Sequence, residues 1–587
     1  MARRDEAPEQ LAGWLRCVRA SVPQRAVWAV FGAGLVVALG IGAWLALTQR
    51  SARELWVFEM LLEFLRSTPP TDVILAQLPP ERMASVRARG LAMVGRLLTP
   101  TLCAGALGAL GITGAYVLLA RRMRPVLVSV VVPRSAAGLF KDTSRGTFAL
   151  ITALAIAVHL PHALQSIRYD EDVAALYASS SWFAWANNLL GWQNHVAALL
   201  TIRLSTALFG MSELSVRMPA ILASSFSLAL LCTYLQRRFS VMVGWCTGAL
   251  FLAMPLWAEQ TALARGYGLT FSAGVLMLLG LLRLHDERDR ASTTTMGCLF
   301  ASVFIGCLAH FFFVFMAAAL VALIFLTRQL SAGVRAAALW WLALAAVVPA
   351  LSIMLGLPGT LAILQQTTPV DPYVIVRRFT DEFAFRHTGA VGTSLALITF
   401  AILLASAALL PRVARWPYVG LLSIAFLGPI VGNPIFIYPR YFLHTLAFIV
   451  PCCAWFISMR LLRDRRLPNL ILLGALAGLY VSTRPWQLPQ QVDMRGASAL
   501  ARSEAQAHGS QFAIDTFIAS GVRFYNGSPG RIVNTLYSIP SDVNRVLLAT
   551  DSAHERSRIQ PGFQIERRLR GAEHDVLLLK RTQDPAP

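Results

Sequence analysis

The sequence predicts a mostly α, polytopic membrane protein with about 13 transmembrane helices and a small external α/β domain at its C-terminus. Three observations predict it. The 587 residues are 56% hydrophobic and only 14% charged, with a mean hydropathy of +0.57, a balance that does not describe a soluble surface. Apolar runs of membrane-crossing length recur from residue 26 to residue 483. From Arg484 to Pro587 the chain turns polar, with short β-rich pieces between helical ones. The same figures exclude a disordered chain, a collagen-like repeat and a disulfide-stapled secreted module.

The formal net charge is +21, and the 52 basic residues are all arginine except Lys141 and Lys580. Most of this charge sits in short segments between apolar runs, where it orients a chain in a bilayer, so nucleic acid is not an expected partner. The 8 cysteines stop at Cys453 and lie in or near apolar runs; they suggest neither a disulfide framework nor a zinc spacing.

Candidate spans lie near 26–48, 101–120, 146–164, 218–236, 240–256, 268–282, 294–309, 311–327, 336–356, 391–410, 417–436, 442–459 and 468–483. With the N-terminus in the cytoplasm, the inward segments carry 24 Lys plus Arg in 80 residues and the outward ones 15 in 152, the direction that the positive-inside rule demands. Residues 1–145 read as an N-terminal module. It has two extra spans, the first an anchor behind a basic leader, and an external loop over 49–100 whose Leu55, Phe58, Leu61, Leu62 and Leu65 suit a membrane surface. Residues 146–485 form the transmembrane core, interrupted by an external loop over 165–217. Residues 486–587 form an external α/β domain with strands near Gln511–Ile514, Arg545–Ala549 and Val576–Lys580. Within it, Asn526-Gly527-Ser528 matches a glycosylation acceptor but reads better as a turn.

Ionisable groups next to hydrocarbon are costly unless paired or solvated, so they mark function. Here they gather on one side. The third span ends at His162 and runs into Arg168-Tyr169-Asp170-Glu171-Asp172; Asn194-His195 follows, then Phe209-Gly210 and Ser212-Glu213 through Arg217-Met218-Pro219. Glu259, Arg265 and Tyr267 surround the entry to the sixth span, His310 sits between the seventh and eighth, and Arg440-Tyr441 opens the twelfth. Carboxylates and cations above a large apolar body suggest a substrate with a lipid tail and an anionic head.

In this order, the residues resemble the GT-C superfamily of integral membrane glycosyltransferases, in the branch of protein O-mannosyltransferases and the aminoarabinose transferase of lipid A. The resemblance covers roughly residues 146–485. It departs at His195-Val196-Ala197, where the family has His or Lys before two prolines, and in the two added N-terminal spans. What it implies is transfer of a sugar from a polyprenyl-phosphate carrier to an acceptor hydroxyl or phosphate on the external face, in the inner membrane, with the C-terminal domain periplasmic. The acceptor is a lipid, a glycan or a protein.

Such chemistry needs a base for a weak nucleophile and fixed cations for a lipid-phosphate leaving group. Asp170 is the expected base, with Glu171 beside it in the catalytic pair. Glu171 also suits holding an Arg or the acceptor. His195, Arg265, Arg440 and Tyr441 are expected at the donor phosphate, and Asn194, Glu259, Tyr267 and His310 at the sugar or acceptor. Asp381, Glu382 and Arg386 rank below them. Glu213 and Arg217, four residues apart, suit a structural ion pair within one helix. Arginine cations on the phosphate make a divalent metal unnecessary, and no cofactor is expected. Competing readings are a lipid-linked sugar transporter or flippase, a non-catalytic component of envelope glycan assembly, and a GT-C polymerase or ligase.

Overall fold

In the computed structural model the described residues are chiefly 145–167, 195–327, 329–364, 389–410, 439–462, 465–482, 493–526, 531–533, 541–550, 561–570 and 575–582, with isolated positions such as Glu171, Ala174, Ala175 and Ala178. Among the described residues, six helices are long and apolar enough to cross a bilayer: Arg145–Ala163, Glu213–Arg238, Tyr267–Asp286, Ala332–Ala350, Ala390–Leu409 and Pro439–Leu461. The chain is a multi-pass membrane protein. The expected spans near 26–48, 101–120 and 417–436 lie almost wholly outside the described residues, as does most of the N-terminal module.

In chain order the helices of the described residues are α1 Arg145–Ala163, α2 Val196–Phe209, α3 Glu213–Arg238, α4 Val241–Ala253, α5 Pro255–Gln260, α6 Tyr267–Asp286, α7 Thr293–Ala309, α8 Phe313–Leu326, α9 Ala332–Leu364, α10 Gly389–Leu409, α11 Leu443–Trp455, α12 Arg466–Ser482, α13 Met494–His508 and α14 Thr516–Asn526. At 13, 17 and 14 residues, α4, α7 and α8 are shorter than the about 20 residues that cross a hydrocarbon core. Sequence punctuation explains the breaks. Ser212, Ser240 and Ser292 accept the first-turn amides of α3, α4 and α7, and Pro255 starts α5 where α4 has stopped.

Helix α6 is the centre of the bundle, packed on α3, α7 and α11. Its glycines make this possible. A Cβ on Gly268 would lie 2.6 Å from the carbonyl of Ala220, and one on Gly274 2.5 Å from that of His444, while Gly280 faces the Leu299 side chain. Small residues let backbones approach where no hydrophobic force separates helix from lipid. The largest apolar cluster runs through Leu228, Phe251, Phe271, Met277, Leu299 and Phe313.

Beyond α12 the chain forms a five-stranded sheet of order β4-β3-β5-β7-β6, from strands β3 Phe512–Asp515, β4 Ile532–Val533, β5 Arg545–Thr550, β6 Phe563–Leu569 and β7 Asp575–Arg581. Two-residue strands β1 Val131–Val132 and β2 Ala291–Ser292 pair separately. Strand β3 runs parallel to β4 and β5, and β7 antiparallel to β5 and β6. Alternation divides the side chains between two faces. Ala513, Val546, Leu548, Leu577 and Leu579 pack with Ile539 and Phe563. Ile514, Leu547, Ala549 and Leu578 pack with Leu500 of α13 and Ile518 of α14. That second cluster continues into the transmembrane part through Ile167, Ala174, Ala175, Ala178, Leu199 and Val216, so sheet and bundle share one core.

Candidate functional site

The site forms at one end of the bundle, where α1 and α7 end and α3, α6 and α11 begin. Arg217, in the second turn of α3, points inward and is 1% exposed; Glu171 is 0% exposed. The guanidinium donates from Nε to Glu171 Oε1 at 2.8 Å and from Nη2 to Oε2 at 2.5 Å, a two-pronged geometry that only arginine offers. Its remaining protons go to the carbonyls of His162, Ala163, Gln165 and Ser166 at 2.6–3.1 Å. Glu171 Oε1 also accepts from the backbone N–H of Ala264 at 2.7 Å. One buried ion pair thus ties the end of α1 to the loop before Arg265.

The expected Glu213–Arg217 pair is corrected by this arrangement: Arg217 bonds Glu171, and Glu213 accepts from Arg495 Nε at 2.6 Å and from the Tyr525 hydroxyl at 2.9 Å. The physical reason is burial. A guanidinium in the interior needs acceptors for all its protons, and the α1 carbonyls supply them where a single carboxylate one turn away does not. The expectation that Glu171 shares in the chemistry likewise gives way to a holding role, because both its oxygens are engaged.

Beyond Ala264, Arg265 donates from Nη2 to His195 Nε2 at 3.1 Å, and His195 Nδ1 lies 2.6 Å from the Ala309 carbonyl. Arginine has only donors, so Nε2 accepts, the proton sits on Nδ1, and the ring is neutral. Burial, with Arg265 beside it, pushes His195 down to about 3. His195 therefore braces Arg265 and is not the cation expected of it. Gly266 lets these parts meet, since a Cβ there would lie 1.9 Å from the Ala309 oxygen and 2.7 Å from His195 Nδ1. His195→Gln retains an amide donor and acceptor and is expected to keep most carrier affinity, whereas His195→Lys sets a second cation against Arg265 and is expected to lose it. Carrier-binding titrations of both variants check this; the reverse order would make His195 a phosphate ligand.

Around this pair stands an aromatic box. Tyr267 lies 5.7 Å from His195, 5.5 Å from His310 and 6.4 Å from Tyr441, and His310 lies 5.1 Å from Tyr441. Phe312 stacks on Tyr441 at 5.0 Å, and its N–H donates to His310 Nδ1 at 3.2 Å. The Arg265 and Arg440 guanidinium carbons lie 5.8 and 5.9 Å from the Tyr267 ring centre, within the range of cation–π attraction. Tyr267 and Tyr441, 174 positions apart in sequence, meet because α6 and α11 pack side by side.

Of the expected site residues, the structure gathers His195, Arg265, Tyr267, His310, Arg440 and Tyr441 in one box, with Glu171 and Arg217 behind it. Glu259 is buried in α5. Asp170, Asn194, Asp381, Glu382 and Arg386 lie outside the described residues. Three features escaped the sequence reading. His159 is buried with Nε2 2.8 Å from Thr261 Oγ1, Nδ1 3.3 Å from Ser225 Oγ, and its ring on Trp257. His444 is buried beside Phe313. Arg495 and Tyr525 reach the bundle from the sheet region. Only His159 carried a signal, three residues before His162 on the same helix face.

No protein-family model and no curated protein matches the chain. Among solved structures it is similar to ArnT from Cupriavidus metallidurans in the apo state, at 15% identity and a TM-score of 0.43, covering 74% of this chain and 98% of that one. It is also similar to the same protein bound to undecaprenyl phosphate, at 14% identity and a TM-score of 0.39 over the same shares. Arabinosyltransferase EmbB from Mycobacterium smegmatis follows at 14% identity and a TM-score of 0.33, over 83% of this chain and 49% of that one.

Proposed function

We propose that the chain is a GT-C-type membrane glycosyltransferase that moves a sugar from a polyprenyl-phosphate donor to an acceptor hydroxyl or phosphate on the external face. The observation that carries this reading is the pair of guanidinium groups, Arg265 and Arg440, on one buried tyrosine at the end of an apolar bundle. A phosphodiester takes hydrogen bonds from planar forks. Tyr267, Tyr441, His310 and Phe312 offer ring faces for the sugar, and the apolar flank of the bundle accepts a polyprenyl tail. As the bond from sugar to phosphate breaks, negative charge grows on the lipid phosphate, and cations held beside the buried Tyr267 ring stabilise it without reorganising.

The opposite end of the bundle carries Arg237 and Arg238 at the end of α3, Arg283 and His285 at the end of α6, and Arg335 near the start of α9. Basic residues there suit the cytoplasmic side. This supports a reading in which the box, the C-terminal sheet and the transfer reaction face the exterior of the cell membrane, and the resemblance in motif order points the same way.

Arg265→Ala and Arg440→Ala are each expected to weaken binding of a synthetic polyprenyl phosphate by roughly tenfold to a hundredfold, the worth of a charge-assisted hydrogen bond. Titration of purified protein in nanodiscs measures it. Unchanged affinity in both variants sinks the reading. Transfer itself is tested with radiolabelled synthetic polyprenyl-phosphate sugars in native membrane vesicles; lipid flipping with no label transferred would place the chain among flippases.

A further inference from the structure

The end of helix α1 is held from two sides. Arg217, in the bundle, takes the carbonyls of His162, Ala163, Gln165 and Ser166. Arg495, in the first turn of α13, takes the one that remains, donating from Nη2 to the Leu164 carbonyl at 3.0 Å. Five successive carbonyls at a helix terminus, which would otherwise look to water, are thus shared between two guanidinium groups. The next backbone donor, Ile167 N–H, goes to the Tyr525 hydroxyl on α14 at 2.9 Å. Tyr525 in turn donates to Glu213 Oε1, which also accepts from Arg495 Nε, and Arg495 N–H donates to Ser166 Oγ at 3.1 Å. A closed ring of hydrogen bonds therefore runs from the C-terminal helices to the start of α3 and back through residues 164–167.

The position of this ring matters more than its strength. Residue 167 stands three before Asp170 and four before Glu171, and Arg217 is shared between the ring's carbonyls and Glu171. The apolar cluster continues the contact, with Met494, Leu500 and Ile518 packed in the same core as Ile167, Ala174 and Ala178.

We infer that Arg495 and Tyr525 of the C-terminal α/β domain are positioning residues for the exit of α1 and, through the shared Arg217, for Glu171, so that this domain is a structural part of the reaction centre and not a detached acceptor-recognition module. The inference rests on the transferase reading for its effect on turnover, but its structural half does not. Arg495 and Tyr525 hold the backbone at residues 164–167, which ends three positions in sequence before the expected base. A misplacement near 1 Å, made away from the chemistry, is enough to slow a reaction strongly.

The test uses the full chain in nanodiscs with Arg495→Ala, Tyr525→Phe and the conservative Arg495→Lys. Two readouts are taken: amide hydrogen exchange of a peptide spanning 163–172, and turnover against carrier affinity. Arg531→Ala serves as control, since it removes comparable contacts, a two-pronged pair with Asp542 and a bond to the Ser510 carbonyl, that stay within the same domain and away from residues 163–167. The expected result is faster exchange in 163–172 with turnover down about tenfold and carrier affinity unchanged for Arg495→Ala and Tyr525→Phe, partial recovery in Arg495→Lys, and wild-type behaviour in Arg531→Ala. Unaltered exchange in 163–172 overturns the inference, and so does an equal loss in Arg531→Ala, which would mean that domain stability alone is at work. Faster exchange in a protein with no transfer activity even as wild type would instead reject the transferase reading and leave the positioning contact standing.

Discussion

Arg217→Ala is expected to destabilise the protein by about 3–5 kcal/mol, the cost of stranding one partner of a buried ion pair. The loss is compound. Glu171 would keep a buried carboxylate with no cation beside it, and four carbonyls at the end of α1 would lose their donor together. Arg217→Lys is expected to recover little, because an ammonium cannot reach both Glu171 oxygens and the carbonyls on the far side of the fork. A double variant, Arg217→Met with Glu171→Gln, separates charge from architecture. It removes both ions, keeps an acceptor for the Ala264 N–H, and is expected to regain the part of the stability lost to the stranded charge but neither the rest nor the turnover, because the carbonyls at the end of α1 remain unheld. Thermal unfolding of the purified protein followed by intrinsic fluorescence checks the first part. A melting curve for Arg217→Ala that overlies the wild type would show that the pair does not hold the α1 exit.

The partition between what the sequence disclosed and what it hid follows the range of the forces. Hydropathy is local, so the long helices α1, α6 and α10 could be placed within about four residues from composition, and the short β-rich run Arg545–Ala549 marked a strand. Serine before an apolar run is a cap signal of the same local kind, and Ser212 and Ser292 carry it for α3 and α7, although hydropathy alone set the expected spans at 218 and 294. The interruption at Met254-Pro255 was also in plain view, yet the run around it reads as one span by hydropathy alone. In the site, residue types and order singled out Arg265, Tyr267, His310, Arg440 and Tyr441, because a charged or aromatic group beside hydrocarbon needs a reason. Partners did not follow from spacing. Glu213 and Arg217 have the separation of a helical pair, but the free energy of burying a guanidinium is settled by acceptors 50 residues upstream, which no window on the sequence contains. The charge state of His195 was hidden for the same reason: it is fixed by a carbonyl at residue 309 and a donor at residue 265.

Asp170→Asn is expected to lower sugar transfer by roughly 10²- to 10⁴-fold, the range that a positioned general base supplies, while leaving carrier binding and thermal stability as in the wild type. The argument runs through its neighbour. Glu171 carries two donors from Arg217 and one from Ala264, so it has no role left in accepting a proton, and its variant Glu171→Gln should lose stability first and turnover with it. Asp170 remains as the carboxylate of the acidic run that the family resemblance and the need for a base both select. The two adjacent residues are therefore predicted to fail differently: one in the rate with the fold intact, the other in the fold. Parallel measurement of melting temperature, carrier affinity and single-turnover transfer in the two variants distinguishes them. Full transfer in Asp170→Asn would remove this residue from the mechanism, and loss of transfer in Asp172→Asn instead would move the base two positions along the chain.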